Sequence, residues 1–161
     1  MADLLDLRAA AGLVPDGASV YVGGAVLRRK PMALLRALVD AGRRDLHAIT
    51  FAGSVDIELL VGSGAASAVS SAYVGLGASG FAPIFKEAVE SGEIADHEYS
   101  EWTMLQGLRA AAMGVPFLPT RGGAGSELLG GLAVAEVEDP YGTGRYLAIG
   151  PMRPDVTVLH A

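Results

Sequence analysis

The order of the predicted elements constrains the fold more than any other feature of the sequence. Short apolar runs typical of strands alternate with segments of helical periodicity as far as Met113. This alternation predicts an α/β domain with an open, mostly parallel twisted sheet flanked by helices. The predicted strands are Ser19–Val22, Leu46–Phe51, Ala68–Val74 and a brief segment, His97–Ser100; the predicted helices are Asp3–Ala11, Met32–Ala41, Val55–Val61, Phe81–Val89 and Glu101–Met113.

The last quarter of the chain has a different pattern. Leu132–Val137 and Arg145–Ile149 flank the turn sequence Asp139–Gly142, which predicts a β-hairpin. A last strand is predicted over Val156–Leu159. The chain has 161 residues and neither a repeat nor a linker-like segment, so we expect a single domain over residues 1–161.

Composition excludes several classes of protein. Apolar residues make up 51% of the chain and charged residues 19%, a balance that is incompatible with dominant disorder. The net charge of −6 argues against binding to nucleic acid or to an anionic membrane. The chain has no cysteine, and its first residues are acidic rather than basic as in a secretion signal. We therefore expect a cytoplasmic protein.

The segment Gly75–Gly80 has the pattern G-x-G-x-x-G between a predicted strand and a predicted helix. In dinucleotide-binding folds such glycines let backbone amides approach a pyrophosphate, and Asp96 and Glu98 follow at a spacing suited to a ribose contact. However, 22 glycines make a chance match easy. The alternative is an ordinary glycine-rich loop that lines a ligand cleft.

Two adjoining segments follow the first predicted strand. Gly23 and Gly24 could bring backbone amides close to an oxyanion, or they could simply form a turn. Arg28, Arg29 and Lys30 come next and could hold a phosphate or carboxylate, or form a solvated loop.

Two further segments carry candidate groups. Glu98 and Glu101 lie at a helix start, where an acid is favoured by the helix dipole or could act as a general base. The glycine loop Arg121–Glu127, which includes Gly123, could be a lid over a ligand site or a connecting loop without a functional role. The three histidines lack metal-binding spacing, so no metal site is predicted, and the serines lack the context of a hydrolase nucleophile.

Several of these segments together resemble the α subunits of class I coenzyme A transferases, in particular glutaconate-CoA-transferase-like subunits. They also resemble the α subunit of the CoA-dependent ring-opening hydrolase of steroid catabolism. The matching segments are Pro15–Gly17 leading to Val22–Gly24, then Arg29–Ala33 (Arg-Lys-Pro-Met-Ala), then Leu108–Ala112 through Pro116–Pro119 (Pro-Phe-Leu-Pro) to Gly125 and Ser126.

The resemblance implies an active site between this chain and a β-type subunit in a hetero-oligomer. In the transferases, a β-subunit glutamate attacks the acyl-CoA thioester, and CoA then passes through a glutamyl thioester to an acceptor carboxylic acid. Gly23 and Gly24 would stabilise the oxyanion. The hydrolases instead use an α-subunit glutamate, which Glu101 matches. Residues near the CoA cleft would be Arg29, Lys30, Gly75, Gly77, Arg121 and Gly123.

The sequence therefore predicts a subunit that processes acyl-CoA, with CoA transfer to a carboxylic acid as the main function. The CoA thioester would be a substrate, with no permanently bound cofactor. The alternatives are a hydrolase that uses Glu101 to cleave a C–C bond of a CoA ester, a non-catalytic scaffold and a dinucleotide-binding protein. Family α subunits continue beyond the position of Ala161, so we expect the usual C-terminal continuation to be lacking here.

Overall fold

The computed structural model describes residues 3–132 and 134–161. The chain divides into two compact units. The first unit comprises Met1–Asp96 with Pro154–Ala161, and the second comprises His97–Arg153. The chain thus leaves the first unit after Asp96 and returns to it at Pro154.

A five-stranded sheet organises the first unit, with the strand order β4-β3-β2-β1-β8. Strand β1 lies parallel to both β2 and β8, and β2 lies parallel to β3. The mostly parallel sheet predicted from the alternation of elements is therefore confirmed. The strands are β1 (Ser19–Val22), β2 (Leu46–Thr50), β3 (Ala66–Ser71), β4 (Ala95–Glu98) and β8 (Val156–Val158).

The helices of the first unit bury their apolar stripes in one core. Helix α2 shows why: Leu35 and Leu38 lie on one face and are fully buried. Burial of one such side chain contributes about 1.5–3 kcal/mol. These helices are α1 (Leu7–Gly12), α2 (Met32–Asp40), α3 (Val55–Gly62) and α4 (Pro83–Ser91). No helix within residues 3–132 and 134–161 is long and apolar enough to cross a membrane.

The second unit contains helix α5 (Glu101–Met113) and a three-stranded antiparallel sheet. The side chain of Ser100 accepts a hydrogen bond from the Thr103 amide and so caps the helix start. Strand β7 lies between β5 and β6, and β6 and β7 form the predicted hairpin. These strands are β5 (Leu118–Thr120), β6 (Val134–Glu138) and β7 (Arg145–Ile149).

Most predicted boundaries lie within two residues of those in the structure, and there are three larger differences. Helix α1 begins at Leu7 rather than Asp3, because the Asp6 carboxylate accepts a hydrogen bond from the Ala9 amide and caps it. Strand β3 ends at Ser71 rather than Val74, where its pairing with Thr50 of β2 ends. Strand β5 was not predicted.

Candidate functional site

The Gly23–Gly24 turn follows β1 directly. The Gly23 amide donates to the carbonyl of Val158 at 2.9 Å, so it is already engaged. The Gly24 amide has no acceptor within the described part of the chain. Gly24 has φ +89°, and a Cβ there would collide with the carbonyls of Arg28 and Arg29. The geometry thus leaves Gly24 as the amide of this pair that is available to an oxyanion.

The turn continues into a tight loop with strained backbone. Ala25 and Arg28 exchange backbone hydrogen bonds of 3.0 and 2.9 Å, and the Val26 amide donates to Ala52 at 2.9 Å. Val26 has φ +51° and Arg29 has φ +56°. Positive φ is uncommon outside glycine and costs most for a β-branched residue such as valine. Such strain persists only where the surrounding structure holds it, and it is concentrated at functional sites.

A pocket of about 370 Å³ adjoins this loop. The Arg29 guanidinium donates to the carbonyl of His160 at 3.3 Å and so ties the loop to the segment after β8. Arg28, Arg29 and His160 are exposed. The pocket therefore combines a free amide with guanidinium groups, which suits a carbonyl oxygen together with a carboxylate or phosphate. Its lining residues are Gly24, Ala25, Arg28, Arg29, Leu159 and His160.

Lys30 lies at the end of the loop but is not exposed. Its side chain is 1% exposed, and its ammonium lies 2.8 Å from the Asp56 carboxylate, which is fully buried. The ammonium also donates to the Thr50 hydroxyl at 3.1 Å. A direct contact between Lys30 and a substrate would require this ion pair to open. The binding role inferred for Lys30 from the resemblance therefore stays a prediction.

Most backbone amides of the glycine motif at residues 75–80 already donate hydrogen bonds to backbone carbonyls. The Gly75 amide donates to Gly53 at 3.1 Å, Leu76 donates to Gly80 at 2.8 Å, and Gly80 donates to Gly77 at 3.1 Å. Helix α4 begins only at Pro83, after the motif. In a dinucleotide site, an α-helix begins within the motif, and its free N-terminal amides bind the pyrophosphate. The structure therefore favours an ordinary glycine-rich loop, and CoA-cleft roles for Gly75 and Gly77 stay predictions.

Glu101 is the first residue of α5 and is exposed. An acidic side chain in the first turn of a helix is stabilised by the positive end of the helix dipole. The Ser100 cap already satisfies the Thr103 amide at 3.1 Å, so Glu101 is not needed for capping. The carboxylate is therefore accessible to solvent and ligands.

Trp102, the residue after Glu101, contacts the glycine loop Arg121–Glu127. The Trp102 indole donates to the Thr120 hydroxyl at 2.6 Å, and the Gly122 amide donates to the same oxygen at 3.0 Å. A Cβ on Gly122 would lie 2.8 Å from the indole, so the backbone of the loop packs directly on Trp102. The Arg121 guanidinium lies 4.9 Å from the centre of the Tyr146 ring, a cation–π contact. Arg121 and Gly123 are both exposed.

Tyrosine hydroxyls in both units stay protonated at neutral pH. Burial raises the pKa of Tyr21 in β1 and the pKa of Tyr99 before α5, because the phenolate is poorly solvated there. Neither hydroxyl is suited to act as a base. Within the described ranges, no group of three or more His, Asp or Glu side chains has the geometry to hold a metal ion.

Comparison with known proteins identifies the family. The model of the family "Coenzyme A transferase" matches residues 6–161. The chain belongs to this family. The family predicted from the resemblance is therefore confirmed.

Named relatives include both transferases and a hydrolase. The IpdA subunit of the cholesterol ring-cleaving hydrolase of Rhodococcus jostii is 38% identical over 85% of this chain and 47% of its own length. One of the subunits of the 3-oxoadipate CoA-transferase of Pseudomonas knackmussii is 33% identical over 100% of this chain and 58% of its own length. The chain thus spans about half the length of these curated relatives.

The fold also matches solved structures. The decarboxylase AibA/AibB aligns with a TM-score of 0.91 at 35% identity, over 96% of this chain and 60% of that chain. The glutaconate coenzyme A-transferase of Acidaminococcus fermentans aligns with a TM-score of 0.89 at 24% identity, over 96% of this chain and 55% of that chain. The predicted CoA-transferase-like fold is therefore confirmed.

Four residues that form hydrogen bonds or ion pairs at these sites were not predicted as site residues from the sequence: Thr50, Asp56, Trp102 and Thr120. Asp56 is 26 positions from Lys30, and no local motif links the two. The one available signal was an acidic residue inside an apolar helical segment, where an unpaired charge would be costly. Trp102 lies in the predicted helix Glu101–Met113, and the structure leaves it 47% exposed.

Proposed function

We propose that this chain is the α-type subunit of an enzyme that transfers CoA from an acyl-CoA to a carboxylic acid. The observation that supports it best is the pocket beside the Gly23–Gly24 turn. There the free amide of Gly24 lies beside the exposed guanidinium groups of Arg28 and Arg29. A thioester carbonyl and an anionic group are the two features that every acyl-CoA substrate of such a reaction presents.

The proposed role of this chain is electrostatic. When a carboxylate attacks the thioester carbon, the carbonyl oxygen becomes an oxyanion that the Gly24 amide stabilises by donating a hydrogen bond. The C–S bond then breaks, the CoA thiolate leaves, and an acyl anhydride remains. The thiolate next attacks the other anhydride carbonyl, which releases the first acyl group as a free acid and leaves CoA as a thioester of the attacking carboxyl group. The acceptor acid then attacks this thioester and displaces the thiolate, which returns to the acceptor's acyl carbon, so that a new acyl-CoA forms and the carboxylate is regenerated. Arg28 and Arg29 would bind an anionic group of the substrate and keep the carbonyl in place.

The attacking carboxylate has to come from outside this pocket, because none of its lining residues is acidic. A β-type subunit is the proposed source. Complete transfer then needs the complex, and the isolated chain is expected to be inactive.

Hydrolysis of a C–C bond in a CoA ester is the second candidate, and the exposed Glu101 favours it. At the start of α5 this carboxylate could accept a proton from water that attacks the substrate. The 38% identity to a hydrolase subunit supports this candidate as well.

The test uses the chain co-purified with its proposed β-type subunit. Acyl-CoA, a CoA ester that carries a β-diketone, and small carboxylic acids are supplied in ¹⁸O-labelled water, and products are measured by mass spectrometry. Transfer forms a new acyl-CoA and leaves the released acid without solvent label. Hydrolysis of the C–C bond places solvent oxygen in the new carboxyl group. A tight complex that turns over no acyl-CoA would overturn both candidates and favour a scaffold subunit.

Variants test the roles proposed for individual residues. Gly24→Ala keeps the amide, but its Cβ would collide with the backbone of Arg28 and Arg29 and displace the amide. The variant is therefore expected to lower kcat by about 100-fold or more, as for loss of one oxyanion donor. Gly42→Ala is the control, since Gly42 also has positive φ but has open space around its Cβ position. If hydrolysis is the activity, Glu101→Gln should remove it, whereas Glu98→Gln should not. Full turnover by Glu101→Gln would exclude a catalytic role for Glu101.

A further inference from the structure

The Lys30–Asp56 ion pair is the most deeply buried charged group of the first unit that the proposed chemistry does not use. Both side chains are at most 1% exposed. Replacing such a pair with apolar residues is often neutral or stabilising, so stability alone does not explain it. The surroundings of the pair indicate what else it does.

Both ends of the strained loop are attached to one hydroxyl. The Thr50 hydroxyl donates to the carbonyl of Val22, which immediately precedes the turn, at 3.3 Å. It accepts a hydrogen bond from the Lys30 ammonium, which follows the loop, at 3.1 Å. Residues 23–29 are therefore closed into a ring by the two contacts of Thr50.

Asp56 fixes the ammonium that completes this ring. One carboxylate oxygen lies 2.8 Å from the Lys30 ammonium. The other accepts a hydrogen bond from the Ser54 amide at 2.7 Å, which holds the carboxylate against the start of α3. The ion pair thus connects the end of the loop to α3, and Thr50 connects it to the ends of β1 and β2.

We propose that Lys30 and Asp56 are positioning residues that hold the loop of residues 24–29 in its strained conformation. Val26 and Arg29 keep positive φ because both loop ends are fixed, and this keeps Gly24 and its amide in the geometry described above. The effect on turnover rests on the proposed function, whereas the effect on the loop itself does not.

The first arm of the test measures the loop directly in the purified protein. Amide hydrogen exchange is followed at Ala25, Val26 and Arg28, whose amides form the loop hydrogen bonds. The variants are Lys30→Met, Asp56→Asn and the double variant, which leaves no unpaired buried charge. We expect the double variant to melt close to the wild-type temperature and still to lose protection at these amides by about tenfold or more.

A matched control is the exposed pair formed by Arg145 and Glu136 in the second unit. Arg145→Met with Glu136→Gln should leave exchange at the three loop amides unchanged. Thr50→Val, which removes the shared hydroxyl, should reproduce the loss of protection. Wild-type protection in a folded double variant would overturn the proposal.

The second arm measures turnover in the complex with the β-type subunit. If the loop positions the oxyanion donor, the double variant lowers kcat by about tenfold or more, while KM changes much less. Loss of amide protection with unchanged kcat would keep the positioning of the loop but overturn the oxyanion role in the proposed function. The two arms therefore separate a failure of this inference from a failure of the proposed function.

Discussion

The Gly23–Gly24 turn and the start of α5 both carry candidate functional groups, but they are held in different ways. The turn is fixed by backbone hydrogen bonds and by the buried Lys30–Asp56 pair. It also packs closely, since a Cβ at Gly24 would collide with backbone. At the start of α5, Glu101 is exposed, and Trp102 contacts the glycine loop through the Thr120 hydroxyl. The comparison indicates that the turn is preorganised by buried contacts, whereas the exposed glycine loop is expected to be held less firmly.

The largest expected effect comes from opening the buried ion pair. Lys30→Met leaves the Asp56 carboxylate buried without its cation and should lower the free energy of unfolding by about 3–5 kcal/mol. Adding Asp56→Asn should recover much of this loss. Chemical denaturation followed by circular dichroism measures both. Neutralising the exposed Arg145–Glu136 pair should cost no more than about 1 kcal/mol. An equally small cost for Lys30→Met would show that the turn is less firmly held than this comparison requires.

The next effect concerns the geometry of the turn itself. Gly24→Ala and Gly42→Ala both place a Cβ on a residue with positive φ, which costs about 1–2 kcal/mol. Only at Gly24 would the Cβ also meet backbone carbonyls, so this variant should be less stable than Gly42→Ala by about 1–3 kcal/mol. The difference between their unfolding free energies is the measurement. Equal values would mean that the Arg28–Arg29 backbone shifts freely.

The second region is tested through its indole. Trp102 is the only tryptophan in the chain, so its fluorescence reports on this region alone. Gly122→Ala places a Cβ 2.8 Å from the indole and should shift the emission maximum. The stability cost should be only about 1 kcal/mol, at the low end for overpacking, because this loop is exposed. Gly130→Ala is the control, since nothing lies near that position. Unchanged emission in Gly122→Ala would contradict direct packing of the loop on Trp102.

Local signals in the sequence were sufficient for much of the fold. The bounds of α5 were predicted to the residue, because Ser100 is a good cap and Gly114 ends the helix in the left-handed conformation. Strand β5 was missed because it contains Pro119, which cannot donate to a strand ladder. The structure places this strand at the edge of its sheet, where proline is tolerated.

The site was less predictable, because its contacts join residues that are distant in sequence. The motifs identified Gly24 and Arg29, but they did not show that the Gly23 amide is engaged by Val158. Nor could they show that Lys30 is buried, since its partner Asp56 is distant in sequence and meets it only in the folded chain. Motif spacing indicates which residue types are present, whereas topology decides which of their polar groups remain free.

The smallest effect on stability is expected at the contact between β8 and β1, the strand that leads into the Gly23–Gly24 turn. The Asp155 carboxylate accepts hydrogen bonds from the Ser19 hydroxyl at 2.6 Å and from its amide at 2.8 Å, which lower the pKa of Asp155 below its ordinary value of 3.8. A lowered native pKa stabilises the fold above that ordinary value, and the stabilisation is lost as pH falls through the native pKa. Asp155→Asn should therefore lower the melting temperature slightly at neutral pH, and its difference from the wild type should shrink below about pH 4. Ser19→Ala should reduce the same pH dependence, because it removes the hydroxyl that lowers the pKa. A difference between Asp155→Asn and the wild type that stays constant down to about pH 2 would show that the hydrogen bonds, and not the charge they stabilise, hold β8 in register.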